Sequence, residues 1–242
     1  MLPRSVESNV GKQLRCQVRI TREQRAIFDR YRDLLIDESS RHNLTALRDP
    51  AAIEARHFGE SLGLLEAIEA EGALASPAID VGTGAGIPGI PLRIVRPRLT
   101  LTLLEATRKR AEFLHKAVRE LGLAGVTVVQ GRAEEAARDP AHREQYALAM
   151  AKAVAPLPVL IELALPFVRV GGCLAAQKGS GAAREVVEAA QAIELLGGEI
   201  AMVRQFESLG AARPPTLVLV RKVRPTPDAY PRRPGIPTKR PL

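Results

Sequence analysis

The sequence predicts an α/β protein whose mostly parallel sheet of seven strands closes in an antiparallel hairpin, with a helical extension in front. From Pro77 onward, short apolar runs alternate with helical stretches, which is typical of parallel strands joined by crossover helices. The last two apolar runs have no helix between them and are predicted to pair as a hairpin. A seven-stranded sheet that ends in a hairpin defines a narrower class of fold than a generic doubly wound sheet.

Residues 1–72 are predicted to form an arm and a helical extension. The arm shows no clear periodicity. Thr21 and Gln24 have the spacing of a capping box, in which the two side chains satisfy free backbone amides, and apolar residues then recur at helical spacing. A second helix is expected to begin at Pro50, an allowed first-turn residue, and to end near Gly72.

The predicted sheet domain spans residues 73–224, and residues 225–242 form a basic tail. Seven apolar runs are predicted as strands: Ala78–Val81, Thr100–Leu104, Val126–Val129, Ala147–Ala151, Cys173–Gln177, Glu199–Phe206 and Thr216–Val223. Helices are expected near residues 87–95, 108–121, 155–169 and 182–196. The final stretch, residues 224–242, holds six prolines, a composition typical of an extended segment.

The chain has 242 residues and a formal net charge of +8, and this excess lies at the two ends. Residues 1–48 carry a net +4 and residues 221–242 a net +6, whereas residues 49–220 carry a net −2. A basic balance attracts polyanions such as nucleic acid or an anionic membrane. A solvated basic surface without such a partner is the alternative.

Composition excludes several classes of protein. Hydrophobic residues make up 46%, which predicts a packed core rather than global disorder. Cys16 and Cys173 are far apart and fit no metal-ligand spacing. No uncharged apolar run reaches the roughly 18 residues of a membrane span, and no signal-peptide core is present. We expect a cytoplasmic protein without a metal and without a membrane partner.

A glycine-dense turn after the first predicted strand is the strongest local signal. Gly82, Gly84 and Gly86 lack a Cβ, so the backbone can bend sharply and approach a ligand, and the next helix offers free amides. Gly84-x-Gly86-x-x-Gly89 satisfies the dinucleotide pattern, and Glu105 lies 21 residues beyond Gly84, at the end of the next strand. Adenosyl cofactors without phosphates also use such a turn and need an acid for the ribose.

Asp80 distinguishes these two ligand classes. A carboxylate just before the glycines is unfavourable close to a pyrophosphate, whereas it suits a ligand with an ammonium group, such as S-adenosylmethionine. The closing hairpin also favours a methyltransferase sheet. The alternative is that Asp80 simply caps the loop, since Asp commonly binds nearby backbone amides.

Charged residues follow two further strands at the edge where parallel sheets bind ligands. Glu134 is placed to accept a hydrogen bond from an adenine amino group, or it is only a favourable charge at a helix N-terminus. Lys152 ends the fourth strand and is a candidate for contact with the cofactor or a substrate phosphate, with a surface lysine as the alternative.

These segments occur in an order that resembles a known family. They are His42-Asn-Leu-Thr45, Arg56-His57, Asp80–Pro91, Leu104–Leu114, Gly131–Glu134 and Tyr230–Pro237. They resemble RsmG, also called GidB, a bacterial family that methylates N7 of one guanine in the small-subunit ribosomal RNA. The similarity runs from about residue 21 to the C-terminus.

The resemblance implies the class I S-adenosylmethionine-dependent methyltransferase fold, with 16S ribosomal RNA of the 30S subunit as partner. We expect a monomer, although the sequence leaves the oligomeric state open. The residues expected at the cofactor S-adenosyl-L-methionine are Asp80, Gly82, Thr83, Gly84, Gly86, Ile87, Glu105, Ala106, Thr107, Ala133, Glu134 and Lys152. The residues expected at the RNA are Asn43, Lys152, Lys178, Arg232 and Arg233.

Two positions depart from the family pattern. Lys152 lies in Ala-Lys-Ala, where the family usually has Arg in Ser-Arg-Ala, so the positive charge persists but a planar bidentate contact is lost. Glu60 precedes Ser61, where the family commonly has Asp.

The implied chemistry needs no general base, because guanine N7 carries a lone pair and no proton. We therefore expect no catalytic acid or base, and a rate that comes from alignment and from replacing solvent around the sulfonium. His42 and His57 are expected to be core or hydrogen-bonding residues. The alternative functions are an NAD-dependent oxidoreductase that uses the same loop, and a non-catalytic RNA-binding or ribosome-assembly module.

Overall fold

The computed structural model describes residues 18–42, 44–208 and 213–242. Most of the predicted arm, with Cys16, lies outside these residues, and so does Asn43. The predicted capping box is confirmed. The amide of Thr21 donates to Gln24 Oε1 at 3.0 Å, and the amide of Gln24 donates to Thr21 Oγ1 at 3.2 Å.

One sheet of seven strands forms the centre of the fold. In chain order the strands are β1 (Ala78–Val81), β2 (Leu101–Glu105), β3 (Val126–Gln130), β4 (Tyr146–Lys152), β5 (Val168–Lys178), β6 (Gly198–Gln205) and β7 (Thr216–Lys222). Their order across the sheet is β3-β2-β1-β4-β5-β7-β6. The first five strands are parallel, and β7 is antiparallel to both β5 and β6, which confirms the predicted closing hairpin.

The strand order reverses at β1, which lies between β2 and β4. Ligands of open parallel sheets bind at such a switch point, outside the carboxyl ends of the strands. The turn after β1 and the last residues of β2 and β4 therefore meet at one edge.

The helices lie before, between and after the strands. They are α1 (Arg22–His42), α2 (Pro50–Ile53), α3 (Glu60–Ala70), α4 (Gly89–Val95), α5 (Arg108–Glu120), α6 (Ala133–Ala136), α7 (Leu157–Ala164), α8 (Ala182–Glu188), α9 (Ala190–Leu195) and α10 (Ile236–Lys239). The predicted second helix is interrupted by a π-helical segment, Glu54–Gly59, between α2 and α3. The helix predicted over residues 155–169 ends earlier, in a 3₁₀ turn that contains Pro166. Among the described residues, no helix combines the length and the apolar character of a membrane span.

Alternate residues of each strand pack into two separate cores, one on each face of the sheet. Ile79 and Val81 belong to the core with α7, α8 and α9. Ala78 belongs to the other core, in which α3, α4 and α5 are joined by Phe28 and Tyr31 of α1. The helical extension thus packs directly against the sheet.

Asp80, Lys152 and Gln177 follow the same alternation. Each is adjacent in its strand to residues of the α7–α9 core, so its side chain lies on the face that the extension covers. Lys152 and Gln177 are also register partners on β4 and β5. Tertiary structure therefore gathers three polar side chains at the carboxyl edge, beneath the extension.

The C-terminal tail folds back onto the sheet domain, which corrects the expectation of an extended segment. Arg138 donates to the carbonyls of Ala229 and Pro231, and Arg143 donates to the carbonyl of Tyr230 at 2.8 Å. The tail then ends in α10, which packs on α7. Its prolines lack amide donors, and arginines of the domain satisfy several of its carbonyls instead.

Candidate cofactor and substrate site

Asp80 is fully buried next to the glycine turn. Its Oδ2 atom accepts hydrogen bonds from Thr83 Oγ1 at 2.6 Å and from the amide of Gly89 at 2.8 Å. Its Oδ1 atom is buried and has no hydrogen-bond partner among the described residues. Burial raises the pKa of Asp80 to about 6, against the lowering effect of these two hydrogen bonds. One oxygen caps the loop, and the other is uncommitted and suited to a cationic group.

Two of the glycines show why the turn requires this residue type. Gly84 has a φ of +61°, and a Cβ there would meet no atom within 4 Å, so the chain leaves an open space beside it. Gly86 has a φ of +92°, and a Cβ there would lie 2.9 Å from Tyr31 Oη. The turn is therefore open on one side and tightly packed against α1 on the other.

Glu105 ends β2 beside this turn and is 4% exposed. Its Oε2 atom accepts from the amide of Gly84 at 3.0 Å, and its Oε1 atom accepts from the amide of Thr107 at 2.7 Å. Each carboxylate oxygen accepts more than one hydrogen bond, so Glu105 keeps capacity for ligand hydroxyls. The structure thus joins Glu105 to Gly84 of the glycine turn, although the two residues are 21 positions apart in the sequence.

The other residues expected at the cofactor surround this turn. Thr83 and Ile87 are buried within it. Ala106 and Thr107 are exposed directly after Glu105, and Ala133 is half-buried at the start of α6. Their roles at a cofactor stay predictions.

Glu134 lies in the first turn of α6 and is 5% exposed. Its Oε1 atom accepts a hydrogen bond from the amide of Gly235 at 2.9 Å, and Arg132 Nε lies 3.9 Å from its Oε2 atom. The C-terminal tail therefore borders the position expected for an adenine. The sequence carries no periodic signal for this contact, which joins residues 101 positions apart.

Lys152 is held by the helical extension. Its Nζ atom lies 2.7 Å from Glu60 Oε2 and donates to the carbonyl of Arg56 at 3.1 Å. Burial lowers the pKa of Lys152, and the Glu60 carboxylate opposes that shift. Gln177 Nε2 donates to the same Glu60 oxygen at 3.1 Å. We refer to Glu60, Lys152 and Gln177 as the edge cluster.

Lys178 follows Gln177 and lies on the opposite face of β5. Its Nζ atom pairs with Glu185 Oε2 at 2.7 Å and donates to the carbonyl of Ala155 at 2.8 Å. The structure does not bring Lys178 beside Lys152, and its contact with RNA stays a prediction.

Arg232 forms a bidentate ion pair with the fully buried Glu162 of α7, with Arg232 Nη2 at 2.6 Å from Glu162 Oε2. This ion pair anchors the tail to α7, and the contact of Arg232 with RNA stays a prediction. Arg233 is exposed and keeps its predicted role at RNA.

Tyr31 contacts the glycine turn and is not among the residues that the sequence placed at the cofactor. Its side chain is fully buried, and its hydroxyl donates to the carbonyl of Ala85 in the glycine turn at 2.5 Å. Burial raises the pKa of Tyr31 well above its usual value, and the charge of Asp80 adds to the rise. The sequence offered one signal for this contact: a tyrosine on the apolar face of a helix needs a hydrogen-bond partner for its hydroxyl once it is buried.

His57 is a hydrogen-bonding residue, as predicted. Its Nε2 atom lies 2.9 Å from Thr45 Oγ1. Burial lowers the pKa of His57 to about 4, and the positive charge of Lys152 adds to this effect. The imidazole is therefore neutral at neutral pH.

The pH dependence of stability is expected to reflect His57. Its pKa is lower in the folded than in the unfolded state, so acidification from about pH 6.5 toward 4 favours unfolding. The wild type should lose up to about 2 kcal/mol between about pH 7 and pH 5 relative to His57→Gln. Asp80 titrates in this range with the opposite sign, so only the difference between the two proteins is diagnostic. Urea unfolding measures it, with the exposed His115→Gln as control, and equal pH slopes for all three proteins would contradict the assignment.

The strand order, the glycine turn and the acids around it define a class I S-adenosylmethionine-dependent methyltransferase fold. The solved structure of an MtNAS mutant in complex with S-adenosylmethionine has the same fold, with a TM-score of 0.56, 19% identity, and coverage of 83% of this chain and 76% of that chain. The GidB family model, described as rRNA small subunit methyltransferase G, matches residues 24–212. The chain belongs to this family.

Two relatives show how far the similarity extends. A protein of Moorella thermoacetica named ribosomal RNA small subunit methyltransferase G is 46% identical over 220 residues, 91% of each chain. A protein of the same name from Pelotomaculum thermopropionicum is 43% identical over 223 residues, 92% of each chain. The similarity therefore includes both the extension and the sheet domain.

Proposed function

We propose that this protein transfers the methyl group of S-adenosylmethionine to N7 of a guanine in 16S ribosomal RNA. Membership of the family, whose named members are small-subunit rRNA methyltransferases, supports the reaction and the substrate class. The observation that carries the cofactor assignment is the buried Asp80, with one oxygen bound to the glycine turn and the other uncommitted. We further propose a cytoplasmic monomer that acts on the 30S subunit.

Three acids are placed to hold the cofactor. Asp80 offers Oδ1 to the ammonium group, Glu105 offers lone pairs to the ribose hydroxyls, and Glu134 offers its carboxylate to the adenine edge. The bound cofactor supplies an electrophilic sulfonium methyl. The three acids are buried, and they supply the negative charge that suits a cationic ligand.

The substrate base requires positioning rather than deprotonation, since N7 of guanine has no proton to lose. Lys152 lies at the carboxyl edge of β4 and can donate to an acceptor of guanine such as O6. Arg233 is exposed on the tail and available to RNA phosphates. His57, neutral and bound to Thr45, takes no proton in this reaction.

The test is transfer of tritium from labelled cofactor to 30S subunits that lack the modification, followed by mapping of the labelled base. We expect one labelled guanine, methylated at N7. No incorporation, or incorporation at another atom, would refute the proposal. Titration with NAD and with S-adenosylhomocysteine separates the oxidoreductase alternative, because only the second is expected to bind. RNA binding without affinity for S-adenosylhomocysteine would support the non-catalytic alternative.

Tyr31→Phe is expected to weaken S-adenosylhomocysteine binding about five- to tenfold, because loss of one buried hydrogen bond costs about 1 kcal/mol or more. The variant leaves the Ala85 carbonyl unpaired and loosens the turn without removing any group that contacts the ligand. Calorimetric titration measures the affinity. The matched control is Tyr146→Phe, which removes another buried hydroxyl. Tyr146 lies at the start of β4, at the end of the strand that is farther from the glycine turn. Equal affinities for the two variants would show that Tyr31 does not support the cofactor loop.

A further inference from the structure

The edge cluster joins the helical extension to the ends of two strands through a single oxygen. Glu60 Oε2 forms an ion pair with Lys152 Nζ at 2.7 Å and accepts a hydrogen bond from Gln177 Nε2 at 3.1 Å. The side chains of Glu60 and Lys152 are only 13% and 14% exposed. Because Lys152 and Gln177 are register partners on one face, Glu60 sets the positions of both at once.

The backbone around the cluster is irregular on both sides. Glu60 directly follows the π-helical segment, whose Arg56 carbonyl accepts the second hydrogen bond of Lys152. Ala153 follows Lys152 with a φ of +56°, in the left-handed region that non-glycine residues rarely occupy. Both features are common at functional sites, where surrounding contacts maintain a conformation that is locally unfavourable.

The edge cluster contains a hydrogen-bond donor and a hydrogen-bond acceptor that no described residue satisfies. The ammonium of Lys152 has three donors, and Glu60 and the Arg56 carbonyl take two, with no further partner in the described part of the chain. Gln177 Oε1 is buried and has no hydrogen-bond partner among the described residues. One donor and one acceptor are thus unused on register partners of β4 and β5, at the carboxyl edge and on the same face as Asp80.

This pair of groups complements guanine. The guanine edge presents O6, an acceptor, beside N1–H, a donor, whereas adenine presents an amino donor beside N1, an acceptor. A lysine donor and an amide acceptor therefore match guanine and mismatch adenine, and a site with buried unpaired polar groups discriminates strongly. Contacts to O6 and N1–H also leave N7 free to react.

We propose that Gln177 and Lys152 recognise the O6 and N1–H edge of the target guanine, and that Glu60 is the positioning residue that holds both. This inference rests on the proposed methyltransferase function. Glu60 does not touch the cofactor or the base and acts through Lys152 and Gln177.

The experiment compares Glu60→Gln, Glu60→Asp and Gln177→Met with wild type in methylation of 30S subunits. Glu60→Gln should lower kcat about 10- to 100-fold through misplacement of the base, with the Kd for S-adenosylhomocysteine changed less than about twofold. Glu60→Asp keeps the carboxylate and should retain most of the activity. Gln177→Met should lower kcat/KM about tenfold through loss of one base contact.

The matched control is Glu71→Gln. Glu71 and Arg204 form an ion pair of 2.9 Å with side-chain exposures of 18% and 16%, just after α3 and at the other end of that helix from Glu60. Both glutamine variants lose an ion pair between largely buried side chains, so a purely structural role for Glu60 would give them the same melting temperature and the same kcat. We expect equal melting temperatures and a loss of kcat in Glu60→Gln alone.

A second readout is the alkaline limb of the kcat–pH profile. The charged groups that face Lys152 are Glu60, Arg56 and Asp80, beside the neutral His57, and Glu60 favours the charged ammonium most. The limb should therefore move to lower pH in Glu60→Gln and stay in place in Glu71→Gln. Active wild type together with unchanged kcat and pH profile in Glu60→Gln would overturn this inference alone. An inactive wild type would overturn the proposed function and this inference with it.

Discussion

Asp80→Asn is expected to lower the affinity for S-adenosylhomocysteine about 10- to 100-fold, because a hydrogen bond to a charged group contributes about 1.5–3 kcal/mol. The amide keeps the size of the side chain and can still accept from Gly89, so the loop stays folded. What is lost is the negative charge that Oδ1 offers to the ligand ammonium. Calorimetric titration measures the change. Asp49→Asn is the control, since Asp49 caps α2 by accepting from the backbone amide of Ala52, which Asn also caps.

The same carboxylate makes cofactor binding depend on pH. Burial raises the pKa of Asp80 to about 6, so in the free protein its charged form predominates only above that pH. Binding of an ammonium group favours the charged form and releases protons when it occurs below about pH 6. Affinity should therefore rise from about pH 5 to pH 7 and then level off in the wild type, and stay flat in Asp80→Asn. A flat wild-type profile would remove Asp80 from the site.

Arg232→Ala is expected to destabilise the protein by about 3–5 kcal/mol, because it leaves the fully buried Glu162 without its cation. The tail should also detach from α7, and with it the Gly235 amide from Glu134, so cofactor binding weakens as well. Urea unfolding and calorimetry measure the two effects. The double variant Arg232→Ala with Glu162→Gln should recover part of the stability, since the buried charge is then removed.

Arg233→Ala is the matched control for Arg232→Ala, because the neighbouring guanidinium is exposed. Its stability and cofactor affinity should equal those of wild type, whereas its RNA binding should weaken and become less sensitive to salt. If the two alanine variants had the same stability, the Arg232–Glu162 pair would not anchor the tail.

Local pattern was sufficient to predict the sheet and the meeting of two acids at the glycine turn. Seven apolar runs and a final pair without a helix predicted the strands and the hairpin, because alternation and connection length are properties of short segments. Asp80, the glycine turn and Glu105 were predicted together, since parallel strands bring their carboxyl ends to one edge. The likeness to a known family added the substrate and the expected cofactor residues.

The contacts that the sequence did not predict join distant segments. Tyr31 reaches the glycine turn across 54 positions, Arg232 reaches Glu162 across 70, and Glu60 reaches Gln177 across 117. The periodicity of a helix shows which face is apolar but does not show which polar atom that face will meet. Only packing of the extension and the tail against the sheet decides those partners.

The basic charge is also determined partly by the sequence and partly by the tertiary structure. The sequence by itself established a net charge of +8 concentrated at the two ends, and with it an attraction for polyanions. The tertiary structure decided which of these cations are available. Arg232 is paired with Glu162, and the fully buried Lys222 is paired with Glu144 at 3.1 Å, while Arg233 stays exposed. A charge count is additive along the chain, whereas the exposure of each charge depends on the residues that the fold packs against it.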